Sequence, residues 1–335
     1  MQRPVEIGGY FGLDLPDYGE CRMFSNGHFV QSARAAIHAA LACNGFNRVL
    51  MPGYICNSII QAAQEAGLRV ETYDLDGTLY PKELPQALAP GCAVLYVNYF
   101  GLCGHHVRVL AQQMPSGKTI IDNSHALFAP NEEGVLATAY SPRKFVGLPD
   151  GGVLAASPQL QFTPPVTEDS GSFDRMRYLV RRMAYSARAG YEDFDAARRS
   201  LSDTKPLAMS RLTRRLMRSI RWNDVRARRR ENYTVMAAML DRVNNFYWPL
   251  ADEHVPLIYP LTLRGRQVDD IRTELAANNI FSATYWKDAL PRAKAGSVEA
   301  ALINETLFLP IDQRMSLEQV EAVARTVLKL IGHRK

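Results

Sequence analysis

The 335-residue chain has no run approaching the roughly 18 consecutive apolar residues that a membrane-crossing helix needs. Its opening stretch, MQRPVEIGGYFGLDLPDYG, also lacks the basic start and apolar run of a secretory leader. Export and membrane attachment are therefore not expected. Cysteine is scarce and odd in number: Cys21, Cys43, Cys56, Cys92 and Cys103 are scattered, with no C-x-x-C pair, which removes both a disulfide framework and a zinc knuckle. A reducing cytoplasm is the expected compartment. No G-x-G-x-x-G follows a strand-like segment, since Gly8-Gly9 and Gly12 precede any βαβ unit, so a nicotinamide-binding enzyme is disfavoured. No H-E-x-x-H exists, and His105 and His106 are adjacent rather than one helical turn apart, so no metal site is expected.

Charge of one sign is also in small excess, with 39 Lys+Arg against 34 Asp+Glu and a net charge of +5. One segment is an exception: Arg211, Arg214, Arg215, Arg218, Arg221, Arg226, Arg228, Arg229 and Arg230 crowd together. Nucleic acid or an anionic ligand is one reading of such a patch. Leu212, Leu216 and Ile220 recur at spacing four in the same segment, however, which predicts an amphipathic helix with arginines on its wet face. A nucleic-acid partner is accordingly not expected.

Helical and strand patterns alternate from about residue 32 to 156. Ser32 is placed to cap the helix ARAAIHAALAC; Arg48 to Met51 is a strand stopped by Pro52-Gly53; Ile55 to Ala66 is helical and Arg69 to Tyr73 extended. A helix over Lys82 to Leu88, strand Ala93 to Asn98, helix Val107 to Gln113 and strand Lys118 to Asp122 follow. Gly134 to Tyr140 and Gly152 to Ala156 read as strands flanking the loop SPRKFVGLPDG. This order predicts an α/β fold with a mostly parallel sheet and helices on both faces. Beyond Pro164-Pro165 come two long helical segments, Phe173 to about Leu201 and Met209 to about Val243, a connector spanning 170–245. A smaller α+β pattern closes the chain: strand Leu257 to Leu263, helix Val268 to Asn278, strand Ile280 to Thr284, and a helix Leu317 to Ile331 begun at Ser316. A large domain over 1–245 and a small one over 246–335 are expected.

In open α/β sheets ligands sit beyond the carboxyl ends of the strands. Asp122 ends an apolar strand, where its carboxylate needs a cation or hydrogen bonds. Lys144 lies in a loop followed by Gly147 and Gly151-Gly152, open to the approach of a cofactor. A strand-terminal aspartate, a Ser-x-x-Lys loop some twenty residues on and a serine-capped helix near the start are together what pyridoxal phosphate (PLP) asks of a protein. The lysine bonds its aldehyde, the carboxylate balances its ring nitrogen, and a helix N-terminus holds its phosphate.

The chain resembles the DegT/StrS-type aminotransferases, which make amino sugars on nucleotide-linked intermediates and belong to the aspartate-aminotransferase fold group (PLP fold type I). The resemblance rests on TIIDNSHALF and YSPRKFVGLPDGG, supported by EIGGYF, SARAAIHAAL, VLMPGYIC, VNYFG, RRRENY and a late LPID. It implies Lys144 as the cofactor-bonding lysine and proton shuttle, Asp122 at the pyridinium, and His125 at the ring or its O3′. It further implies that backbone amides of Ala33 and Arg34, with the Ser141 hydroxyl, cradle the phosphate. Ala33 stands where the family has glycine, and Ala139 where its commoner branch has the phosphate serine. Cys56 stands where an aromatic ring often stacks, leaving Tyr54 or His125 to supply that face. The family's Asn-Tyr-Arg-Met segment reads Pro206-Leu207-Ala208-Met209 here, without the asparagine that reaches the partner's cofactor.

The implied activity is transfer of an amino group from an amino acid, typically glutamate, to a keto-sugar in polysaccharide or secondary-metabolite biosynthesis, by a homodimer. A PLP-dependent sugar dehydratase or lyase, and a non-catalytic relative, are the alternatives; dehydrating members often carry histidine in place of the lysine, whereas Lys144 is intact. Tyr285, Trp286 and Lys287 are candidates for the substrate mouth, with core packing as the competing reading.

Overall fold

The computed structural model describes residues 7–85 and 87–332. Glu6 of EIGGYF and the last three residues thus lie outside the described residues. The sheet that positions the site is built from β1 (His28–Val30), β2 (Arg48–Pro52), β3 (Arg69–Tyr73), β4 (Cys92–Val97), β5 (Thr119–Asn123), β6 (Ala137–Tyr140) and β7 (Gly152–Ala156). Their order is β1-β7-β6-β5-β4-β2-β3. From β3 to β6 the pairing is parallel; β7 alone runs against the other strands, and β1, antiparallel to β7, runs with them. The α/β architecture with a mostly parallel sheet is therefore the observed one.

Strands β4 and β5 are buried along their whole length, as befits central strands covered on both faces. Helix α1 (Ala33–Ala42) covers β5 to β7, and its buried stripe of Ala35, Ala36, Ile37, Ala39, Ala40 and Leu41 consists mostly of small residues. Small side chains let the helix axis lie close to the sheet, so its N-terminus reaches the start of β7. Helix α2 (Asn57–Glu65) packs on β3 and on α1, and α3 (Gly104–Gln113) packs on β5.

The connector differs from two long helices. It forms α4 (Ser172–Ala184), α5 (Tyr191–Arg199), α6 (Arg211–Met217) and α7 (Trp222–Leu240). The break between α6 and α7 falls where the Ser219 hydroxyl donates to the Leu216 carbonyl at 2.7 Å. A side chain bonded to a nearby carbonyl in this way competes with the helical ladder. The C-terminal part holds β8 (Tyr259–Thr262) antiparallel to β9 (Thr306–Leu309), with α8 (Asp269–Ala277), α9 (Val298–Asn304) and α10 (Leu317–Leu330). Ser316 caps α10 in a reciprocal capping box with Gln319.

Two expected elements are corrected. The described residues of 82–88 form no helix; Pro81 and Pro85 interrupt the backbone donors. Lys82 N–H instead meets the Asp74 carbonyl at 3.0 Å. Residues 280–284 form no strand but a single bridge, Ala283 to Phe308. The chain turns away immediately afterwards, with Trp286 at φ 53° and ψ 48°. That left-handed conformation is uncommon for a side chain of this bulk and ends any extended run. No helix among the described residues is long and apolar enough to cross a membrane.

The arginine-rich segment is more than a wet face. Arg215 donates to the Leu15 carbonyl at 2.6 Å, Arg218 holds the Asp17 carboxylate, and Arg221 meets the Tyr18 hydroxyl at 2.9 Å. These arginines hold residues 15–18 against α6, while Arg229 is 2% exposed and turned inward. Leu15 packs against the core and the Tyr18 ring lies under Arg221, so the segment is kept in place by apolar contact as well as by charge and carbonyl bonds.

Candidate active site

Lys144 ends a 3-10 turn, Pro142–Lys144, that follows β6 directly. Pro142 presets the turn through its fixed φ. Lys144 N–H then closes it on the Ser141 carbonyl at 3.2 Å. Desolvation of the amine lowers its pKa from 10.5 to about 8; Arg143 adds to the fall, and Asp122 and Cys56 oppose it. Lys144, Asp122 and Cys56, far apart in sequence, thus converge at one end of the sheet.

Asp122 is the fourth residue of β5 and 4% exposed. One carboxylate oxygen accepts the Ser124 N–H at 2.8 Å. The tight turn after β5 then swings His125 into a fully buried position between Phe100, stacked at 5.6 Å, and Trp286, stacked nearly parallel at 5.0 Å. Neither His125 ring nitrogen has a hydrogen-bond partner among the described residues. Burial, with Lys144 nearby, pushes its pKa well below the ordinary range, so the ring is neutral.

Tyr54 is fully buried, stacked on Tyr99 at 5.7 Å and edge-on to Trp286 at 4.8 Å. Trp286, Tyr99, Phe100 and Tyr285 thus join Tyr54 and His125 in an aromatic cluster. The sequence singles out Tyr285 and Trp286, and it marks Tyr99 and Phe100 through VNYFG at the end of a strand pattern without giving either ring a role. Cys56 stands at the N-cap of α2, its sulfur accepting the Ser58 hydroxyl at 3.0 Å.

Ala33 and Arg34 open α1, whose Ser32 cap accepts the Ala35 N–H at 3.1 Å, the usual way of satisfying a helix's first donors. Ala33 is not among the residues of positive φ, so the missing glycine costs no backbone strain there. The close approach is made from the other side: a Cβ on Gly152 would stand 2.2 Å from the Ser32 carbonyl carbon and 2.5 Å from the Ala33 nitrogen. Any side chain at Gly152 would push β7 off the helix start. The Arg34 guanidinium donates to the Leu201 and Ser202 carbonyls at 3.0 and 3.1 Å, fixing the connector beside the helix N-terminus. Ser141 is 3% exposed and makes no capping bond with its hydroxyl.

The far end of the lysine loop is anchored by a buried polar network that sequence patterns do not reveal. Asp150 accepts the Ser172 hydroxyl at 2.5 Å, the Thr213 hydroxyl at 2.5 Å and Arg175 at 2.8 Å. Arg175 also pairs with Asp169 and bonds Ser200. Tyr178 donates to the Leu148 carbonyl at 2.6 Å. Arg175→Met is expected to cost about 3–5 kcal/mol, because two buried carboxylates lose their cation at once. Urea unfolding at pH 7 measures it, and a loss below about 1 kcal/mol would show that the network is wet and weak.

No protein-family profile matches the chain, and no curated protein matches it. Solved structures do. A putative sugar aminotransferase from Streptococcus pneumoniae in its PLP form superposes with a TM-score of 0.63 at 16% identity, covering 95% of this chain and 93% of that one. A sugar aminotransferase from Micromonospora echinospora gives 0.59 at 16% identity, over 91% and 87%. A DegT DnrJ EryC1 StrS aminotransferase from Brucella abortus gives 0.60 at 15% identity, over 92% and 86%. The chain has the fold of these aminotransferases along nearly its whole length.

Proposed function

We propose that the protein is a PLP-dependent aminotransferase of the DegT/StrS type, which moves an amino group from an amino acid, glutamate foremost, to a keto-sugar that is nucleotide-linked. The observation that carries this reading is the desolvated Lys144 amine, brought to about 8 beside the buried Asp122 carboxylate at the end of the parallel strands. The donor set suits the cofactor: a lysine for its aldehyde, a carboxylate for its ring nitrogen, a buried neutral histidine with both nitrogens free among the described residues, and a capped helix N-terminus for its phosphate. When bound, pyridoxal phosphate supplies an electron sink for the pair released at the substrate Cα.

The protein residues supply the rest. Lys144 takes the proton from Cα and returns it on the other side of the transfer, work suited to an amine whose pKa lies near neutrality. Asp122 would keep the ring nitrogen protonated, and the aromatic cluster of Tyr54, Tyr99 and Trp286 excludes water from that side. Ala33 and Arg34 amides and the Ser141 hydroxyl would hold the phosphate. The intact Lys144 favours transfer over dehydration. We extend the proposal to a division into domains near residue 245, a cytoplasmic setting and a homodimer. The exposed Phe173, Val180 and Met183 on α4 support a second copy as the cover of that face.

The test is a visible spectrum of the PLP-supplemented protein, then borohydride reduction and mass mapping. A yellow band with the label on Lys144, bleached by glutamate, is the expected result. A label on another lysine, or no band, overturns the reading.

A further inference from the structure

Two motifs that the active-site reading leaves without chemistry, RRRENY at 228–233 and LPID at 309–312, meet each other at the lysine loop. Arg229 Nε donates to Gln313 Oε1 at 2.9 Å, Nη1 to the carbonyls of Leu257 and Pro256 at 2.9 and 3.4 Å, and Nη2 to the Phe145 carbonyl at 3.2 Å. Its guanidinium lies 4.7 Å from the centre of the Phe145 ring. Gln313 Nε2 donates to the same Phe145 carbonyl at 2.8 Å. One turn along α7, Asn232 donates to the Ile311 and Asp312 carbonyls at 3.3 and 3.0 Å.

A buried guanidinium with no ion-pair partner among the described residues is costly unless its donors are satisfied, and here neutral oxygens satisfy them from three separate stretches of chain. Only a planar fork reaches all three at once. Phe145 directly follows Lys144, so its carbonyl and ring fix the position of the lysine's own peptide.

We propose that Arg229, acting with Gln313, is a positioning residue that clamps the Phe145 end of the lysine loop to the C-terminal segment and thereby holds the Lys144 amine in its desolvated position. The inference rests on Lys144 being the working amine, and it makes residues 256–257 and 313 part of what aims it. A displacement of that segment is transmitted to the amine through two hydrogen bonds on one carbonyl.

The test is residue-resolved trace acylation of the full chain, without cofactor, across pH. The groups that bear on the amine are Asp122, Arg143 and Cys56, with His125 facing it; the charge of Arg229 is not among them. A change in the Lys144 midpoint on altering the clamp therefore reports position and hydration. The native midpoint is expected at about 8. Gln313→Met, which keeps length and loses hydrogen bonds, is expected to raise it by about one unit, and Arg229→Lys, which keeps charge and loses the fork, by more. An unchanged midpoint in folded Gln313→Met overturns the proposal, whether or not Arg229→Lys folds; so does a native midpoint at the ordinary lysine value. No cofactor enters this assay: an unchanged midpoint in Gln313→Met beside a native midpoint near 8 fails the clamp alone, whereas a native midpoint at the ordinary lysine value also removes the observation that carries the aminotransferase reading.

Discussion

Lys144→Met is expected to leave amino transfer undetectable and to change how stability responds to alkaline pH. The first effect follows because, among the described residues, no other lysine is placed beside Asp122 to bond a cofactor aldehyde or carry the Cα proton; retained turnover removes the mechanism. The second follows from linkage. The amine titrates at about 8 in the folded chain and at its ordinary 10.5 when unfolded. Between those values the unfolded chain holds the proton and the folded chain does not, so this group's contribution to stability rises with pH. Its cost is fully present below pH 8 and gone above pH 10.5. The wild type should therefore gain on the variant by up to about 3 kcal/mol across that window. Taking the difference between two proteins cancels the titrating groups that Lys144 does not touch, and any pH-independent effect of the substitution enters only as a constant offset. Denaturant unfolding of both, without cofactor, at several pH values measures it. A difference independent of pH would show that the amine is solvated.

Six strands of the main sheet were legible in the sequence because they are short apolar runs between turn residues, and Ser32 and Ser316 announce their helices; β1, only three residues long, was too short to show a pattern. Asp122 and Lys144 were singled out for a related reason: each ends or follows a strand pattern, where the fold's topology gathers chemistry, whereas the approach of Gly152 to Ser32 and Ala33 was not. The rest needed tertiary structure. Lys82 to Leu88 has helical spacing, but Pro85 and the carbonyl of Asp74 decide its conformation. Residues 280–284 have strand composition and only one ladder partner. The arginine stripe shows period but not destination: Arg229 and Arg228 are neighbours, one buried against Phe145 and the other paired with Glu231 at the surface. Asp150 and Arg175 are 25 residues apart in segments with no shared pattern. Their network depends on α4 and α6 both packing against the lysine loop, which no local spacing records.

Asp122→Asn is expected to keep the covalent trap on Lys144 and lose turnover by several orders of magnitude. Asparagine matches the shape of aspartate and can still accept the Ser124 N–H, which holds the turn leading to His125. It carries no charge, however, and a neutral amide cannot balance a protonated ring nitrogen in a site where residue 122 is 4% exposed. Without that protonation the electron pair left at Cα has no sink, so the loss falls on the chemical step rather than on cofactor capture. A second consequence separates this role from general damage. Asp122 holds the Lys144 pKa up against burial, so its removal should drop the acylation midpoint of Lys144 below about 8, the direction opposite to that expected for Gln313→Met. Single-turnover rates with glutamate, read beside that midpoint, decide the matter. Near-normal rates sink the pyridinium pairing, while lost rates with an unchanged midpoint would place the Asp122 carboxylate away from the amine and undo the convergence on which the site is built.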